Sequence, residues 1–131
     1  MSHVLDAHAL MAFLEKEPGF DKVAKLFAAA ADNDESMEMT AVNYGEVVYG
    51  VLREYGQPRT NEVEAFILTL PVRIVAADIE LAREAARFKA RYKIAYADCF
   101  AAALSRLRRV PLLTGDGEFR ALEKEIAVTW L

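Results

Sequence analysis

The sequence predicts an α/β fold whose mainly parallel sheet is covered by helices on both faces. Two observations predict it: short β-like runs alternate with stretches of helical periodicity, and the breaks between them fall at turn-forming residues. Composition permits such a fold. With 54% apolar and 27% charged residues over 131 positions, the chain can bury a core and reads as one domain spanning residues 1–131.

The β-like runs cover residues 3–5, 38–40, 73–75 and 111–113, with a fifth at 127–130. Leu10, Phe13 and Leu14 give the first helical stripe, and Val23, Leu26, Phe27 and Ala30 the second, both at i, i+3, i+4 spacing. Val47, Val48, Val51 and Leu52 form a third, and Val63, Phe66, Ile67 and Leu70 a fourth. Ile79, Ala82, Ala86 and Phe88 supply the fifth, followed by the strongly apolar stretch 99–104 and a short helix over 118–122. Pro18-Gly19 parts the first two helices, Gly56-Gln57-Pro58 parts the third and fourth, and Gly115-Asp116-Gly117 turns out of the fourth strand. There is no internal repeat, low-complexity tract or linker.

The charge balance, 16 basic against 20 acidic residues for a net charge of −4, argues against nonspecific coating of nucleic acid. It leaves a nuclease open, because carboxylates gathered to hold metal ions make the total more negative. The single cysteine, Cys99, excludes an internal disulfide framework and reads as a small buried apolar residue suited to a reducing compartment. There is no Cys/His cluster with zinc spacing and no apolar run approaching the roughly 20 residues of a membrane span, and the first residues, where Asp6 and His8 follow Val4 and Leu5 at once, lead to the expectation of no targeting segment. A cytoplasmic protein without a membrane partner is expected.

Asp6, Glu46, Asp98 and Asp116 stand out by placement. Each has an ordinary reading: Asp6 as a helix cap, Glu46 as the partner of Asn43 in a reciprocal cap, Asp98 as an acid at a helix start, Asp116 as a turn residue. Yet Asp6 ends the first strand and Asp116 the fourth, while Glu46 and Asp98 open helices that follow the second strand and precede the fourth. In a parallel sheet those positions share one edge, where functional residues gather. Carboxylates packed together repel one another unless a cation is present, and an all-oxygen site suits Mg²⁺ or Mn²⁺.

Four segments carry a family resemblance: residues 4–10 (VLDAHAL), 40–47 (TAVNYGEV), 96–99 (YADC) and 113–119 (LTGDGEF). In order and spacing the chain resembles the PIN-domain nucleases, most closely the VapC-type toxins of toxin–antitoxin pairs, over nearly its whole length. The resemblance implies a PIN-like three-layer α/β/α sandwich with a sheet of about five strands. It implies that Asp6, Glu46, Asp98 and Asp116 hold one or two Mg²⁺ or Mn²⁺ ions for metal-dependent RNA cleavage. Among the four, Asp6 and Asp98 read as the firmest ligands, Glu46 as owing part of its position to capping, and Asp116 as the acid expected to act through water. The resemblance also implies a homodimer restrained by a small cognate VapB-like antitoxin.

Several neighbours are candidate auxiliaries. His8 departs from the family pattern, which places Ser or Thr two residues after the first acid; contact with water at the metal, contact with substrate, or a plain helical position all stay open. Thr114, two residues before Asp116, reads either as orienting that acid or water or as an ordinary strand-end threonine without function, and Asn43 accompanies Glu46. Arg91 and Lys93 are candidate RNA-phosphate contacts because they lie near Asp98 in sequence, although Arg83, Arg87 and Arg91 also read as a solvated helical face. Tyr44, Tyr49, Tyr92 and Tyr96 flank the acids as possible base-stacking residues or as packing.

Three rival functions are compatible with parts of the pattern. A PIN-type housekeeping nuclease without antitoxin shares every motif. A non-catalytic RNA- or protein-binding relative has no need of all four acids. A phosphoacceptor receiver-like domain requires an aspartate at the end of the third strand, where Val75 is followed by Ala76 and Ala77.

Overall fold

A computed structural model describes residues 2–131. In chain order the elements are β1 (Val4–Leu5), α1 (Ala7–Leu14), α2 (Phe20–Asp32), β2 (Met37–Thr40), α3 (Ala41–Tyr55), α4 (Gln57–Ile67), β3 (Val72–Val75), α5 (Ile79–Arg91), α6 (Tyr96–Arg108), β4 (Leu112–Thr114), a 3₁₀ helix (Gly117–Leu122) and β5 (Val128–Trp130). The five strands form one sheet in the order β3-β2-β1-β4-β5, and every pairing is parallel. The α/β expectation and all five strands are borne out.

Alternation of side chains across the sheet splits the core into two. Val4 and Leu112 point into a cluster with Leu81, Ala85, Phe88 and the α6 residues Cys99 and Phe100. Their neighbours Leu5 and Leu113 point the opposite way, against Leu10, Val23, Phe27, Val47 and Val51. Helices α1 to α4 therefore cover one face, and α5, α6 and the 3₁₀ helix the other. Phe88 and Phe119 are fully buried, each contributing about 2 kcal/mol of hydrophobic stabilisation.

The sheet order reverses direction between β1 and β4, which pair in the register Val4↔Leu112 and Leu5↔Leu113. Connections from β1 lead outward to β2 and β3, whereas the chain returns through α5 and α6 to place β4 on the other side. Such a switch point opens a crevice beyond the carboxyl ends of the strands. Asp6 and Asp116 follow the two strands that bound it.

Three local expectations are corrected. The buried stripe of α5 is Leu81, Glu84, Ala85 and Phe88, whereas Ile79 is 71% exposed and Ala86 is also exposed. A charged residue hides this stripe in the sequence: Glu84 is buried because Arg87 and Arg106 pair with it at 2.7 and 3.2 Å. The cap of α3 is Thr40, whose hydroxyl oxygen accepts from the Asn43 backbone N–H and donates to Asn43 Oδ1, so the Asn43–Glu46 pair is not the capping pair. The short helix after Asp116 is 3₁₀.

The basic groups are largely occupied by acids. Arg91 donates to Glu125 at 2.7 Å and lies over the rings of Phe88 and Tyr92. Arg106 is shared between Glu84 and Glu125, while Arg108 and Arg73 both hold the buried Glu38.

Candidate active site

Asp6 sits directly after β1 and is 2% exposed. It is the N-cap of α1: Oδ1 accepts from the Ala9 N–H at 2.8 Å. Its Oδ2 accepts from the hydroxyl of Thr114, the last residue of β4. The same Thr114 oxygen accepts from the Asp116 N–H at 3.0 Å. One buried threonine thus ties the two strand ends together. Burial pushes the Asp6 carboxyl up to about 6, although the hydrogen bonds from Thr114 and Ala9 pull it down.

Asp116 caps the 3₁₀ helix, with Oδ1 accepting from the Glu118 N–H at 3.0 Å. The ordinary readings of Asp6 and Asp116 as caps are therefore true of both, and capping positions their carboxylates at the crevice. Asp98 lies in the first turn of α6, where a negative charge is favoured by the helix dipole. Its carboxyl is pushed up to about 7, first by burial, then by Asp116, by a hydrogen bond with Glu118 and by the charges of Glu46 and Asp6.

Oxygens of Asp98, Asp116 and Glu118 all lie within 4.8 Å of one another, the closest acidic grouping among the described residues. Asp116, expected to act through water, stands in this triad. Asp6 and Glu46 stand outside it, near enough for their charges to raise Asp98. Glu118 was not anticipated as a site residue. The signal available for it was its place two residues after Asp116, in a turn whose backbone N–H the aspartate caps.

Glu46 is exposed and belongs to the second turn of α3. Asn43, fully buried, donates through Nδ2 to Glu46 Oε1 and to the Ala97 carbonyl, both at 3.0 Å. Asn43 thereby links the α3 acid to the residue preceding Asp98.

Other candidates separate by contact. His8 is exposed, on α1, with its ring against Gly115. Lys93 is exposed and makes no ion pair or hydrogen bond among the described residues, in contrast to Arg91. The hydroxyl of Tyr44 donates to Glu64 at 2.7 Å and that of Tyr92 to Glu125, which commits both to structure. Tyr49 and Tyr96 remain exposed at 60% and 48%. Cys99 is fully buried, and burial raises its thiol further.

The donor set fits a hard divalent cation. Every candidate ligand is a carboxylate oxygen, and the like charges that raise Asp98 are the repulsion a cation relieves.

Comparison with known proteins gives a consistent picture. The PIN domain family model matches residues 3–125. A protein named ribonuclease VapC from Mycolicibacterium smegmatis is 31% identical over 125 residues, spanning 89% of this chain and 93% of the relative. Among solved structures, VapBC2 from Rickettsia felis bound to a DNA fragment from its promoter superposes with a TM-score of 0.82 at 13% identity, covering 100% of this chain and 99% of its own. A toxin–antitoxin complex from Klebsiella pneumoniae gives 0.69 at 16% identity, covering 99% and 100%. At these identities the structural matches speak for the fold.

Proposed function

The chain belongs to the PIN-domain family, among the VapC ribonucleases, and on that premise we propose that it is a divalent-metal-dependent endoribonuclease, the toxin of a toxin–antitoxin pair. The observation that supports the site is the convergence of Asp98, Asp116 and Glu118 oxygens within 4.8 Å, with Asp6 and Glu46 alongside. Asp98, Asp116 and Glu118 would hold Mg²⁺ or Mn²⁺, one or two ions, with Asp6 and Glu46 completing the acidic wall. Such an ion lowers the pKa of water and neutralises charge developing on the leaving oxygen.

The rest is done by the chain itself. Thr114 fixes the Asp6 carboxylate and the start of the Asp116 turn, so both strand ends keep one geometry. Asn43 orients Glu46 and braces α3 against the α6 start. His8 stands at the rim, and exposed Lys93 is available to an RNA phosphate. Arg91 is held by Glu125 and contributes less.

The expected partners are an RNA substrate, a second copy of the chain and a small VapB-like antitoxin. The Rickettsia and Klebsiella neighbours are toxin–antitoxin assemblies, and α3 presents Tyr49, Leu52 and Tyr55 exposed on successive turns, an apolar surface of the kind protein partners cover. No helix among the described residues is long and apolar enough to cross a membrane, and a lone buried thiol suits the cytoplasm.

The test is RNA cleavage with Mg²⁺ or Mn²⁺, and with chelator, comparing the wild type with Asp6→Asn and Asp98→Asn. Cleavage by the wild type alone, abolished by chelator, is expected; equal cleavage by all three proteins overturns the assignment.

A further inference from the structure

A cleft runs beside α1 from Gly115, next to Asp116 in the chain, and a glycine stands at each end of it. At one end the His8 imidazole lies against Gly115, where an added Cβ would come within 2.4 Å of Cε1 and 2.9 Å of Nδ1. At the other end Gly19 holds φ at 99° and a Cβ there would reach 2.9 Å from the Leu131 Cβ. Between these fixed points is a space of about 300 Å³ lined by His8, Gly115, Glu17, Pro18 and Leu131. It begins one residue from Asp116 and continues past Glu17 into a second, open cleft bordered by Lys16 and Lys22. Neither His8 nor Glu17 makes a side-chain hydrogen bond or ion pair among the described residues, although His8 is near enough to lower the Asp6 carboxyl by its charge.

The chemistry of the lining suits an unpaired base. Single-stranded RNA is recognised by stacking on aromatic rings, histidine included, and by hydrogen bonds to the pairing edges of splayed bases. A carboxylate only accepts, so Glu17 favours a pairing edge rich in N–H donors. Guanine presents N1–H and the N2 amino group side by side, two donors for two carboxylate oxygens. Uracil presents one donor between two carbonyl oxygens, which a carboxylate repels. Lys16 lies further along, as does Lys22, whose ammonium donates to the Trp130 carbonyl; both cations stand where the strand's next phosphates would pass.

We propose that this cleft is a nucleotide subsite holding an unpaired guanine of the RNA next to the scissile phosphate, stacked on His8 and read by Glu17. The proposal rests on the ribonuclease reading above. It is tested with the full chain, a divalent ion and short single-stranded RNAs that differ only in the base at each position flanking the cut. At one flanking position the wild type is expected to cut the guanine RNA roughly tenfold or more faster in kcat/KM than the uracil RNA, the discrimination a paired set of base contacts gives. Glu17→Gln is expected to bring that ratio close to one, and His8→Ala to lower it. Because the ratio is taken within one protein preparation, a change in overall yield or stability does not imitate it. An unchanged ratio in Glu17→Gln, with cleavage intact, overturns the subsite alone. A wild type that cuts none of these RNAs overturns the ribonuclease reading and the subsite together.

Discussion

The hydroxyl of Thr114, the last residue of β4, donates to Oδ2 of Asp6, the first residue after β1, and both side chains are buried. The hydrogen bond joins the two strands at the switch point of the sheet and also holds the most deeply buried acid of the site. Thr114→Val keeps the shape and removes the hydroxyl, so both Asp6 Oδ2 and the Asp116 N–H lose a partner. It is expected to cost about 1–3 kcal/mol for the buried acceptor, with a smaller further loss at the Asp116 N–H. It should also move the acid limb of the pH–rate profile upward, because the lost hydrogen bond had pulled the Asp6 carboxyl down. Thr114→Ser restores the donor and should restore both readouts, measured by urea unfolding and by cleavage rate against pH.

Asp6 and Asp98 titrate at about 6 and about 7 in the folded, metal-free chain, above the 3.8 of an ordinary aspartate. Between the ordinary value and these raised ones, the folded state binds more protons than the unfolded state. Their contribution to stability is therefore full below about pH 4 and is lost as pH rises through about 6 to 7. Urea unfolding in chelator, taken as the difference between the wild type and Asp98→Asn so that other groups cancel, should show this downward slope. A difference that rises with pH over the same window contradicts the placement of Asp98 among like charges. Saturating Mg²⁺ should flatten the slope.

Asp98→Asn should separate function from stability. Removing one of several mutually repelling carboxylates is expected to raise the melting temperature of the metal-free protein near neutral pH, by a few degrees. The same change should lower RNA cleavage on the order of 100-fold or more, at least the upper loss seen when groups supporting a metal ligand are removed. A variant that is both less stable without metal and fully active has no place in the site described.

Glu118→Gln tests the acid that stands nearest Asp98 and Asp116. Its backbone N–H still caps onto Asp116, so the 3₁₀ turn is retained. Metal affinity, followed by calorimetric titration of the chelator-stripped protein with Mn²⁺, is expected to weaken about tenfold. Unaltered affinity would assign Glu118 to the surface turn alone.

Most of the architecture was readable because strand ends and helix starts carry local signals. Asp6 and Asp116 could be placed on one sheet edge from the alternation of elements alone, and Asn43 and Thr114 from their closeness to the acids in sequence. What escaped the sequence was set by contacts between distant segments. A pairing of Glu84 with the arginines of its own helix is legible at i, i+3 spacing, but its burial depends on Arg106 from the neighbouring helix. Arg91 looked available for phosphate until Glu125, from the loop before β5, claimed it. Glu118 lies within the 113–119 segment that carries the family resemblance and two residues after Asp116, but nothing marks it as a site acid, because exposed acids at helix starts are common for electrostatic reasons alone.

The order of the strands also sets when the acid cluster becomes complete. Asp6 emerges from the ribosome long before its holder, Thr114, 108 residues later, and β1 waits at the centre of the sheet for β4 to fill the place beside it. A nascent chain that stops short of β4 has Asp6, Glu46 and Asp98 but lacks Asp116, Glu118 and half of its central pairing. On the proposed reading of the site, the acid set is therefore completed only by the segment that follows the strand completing the sheet.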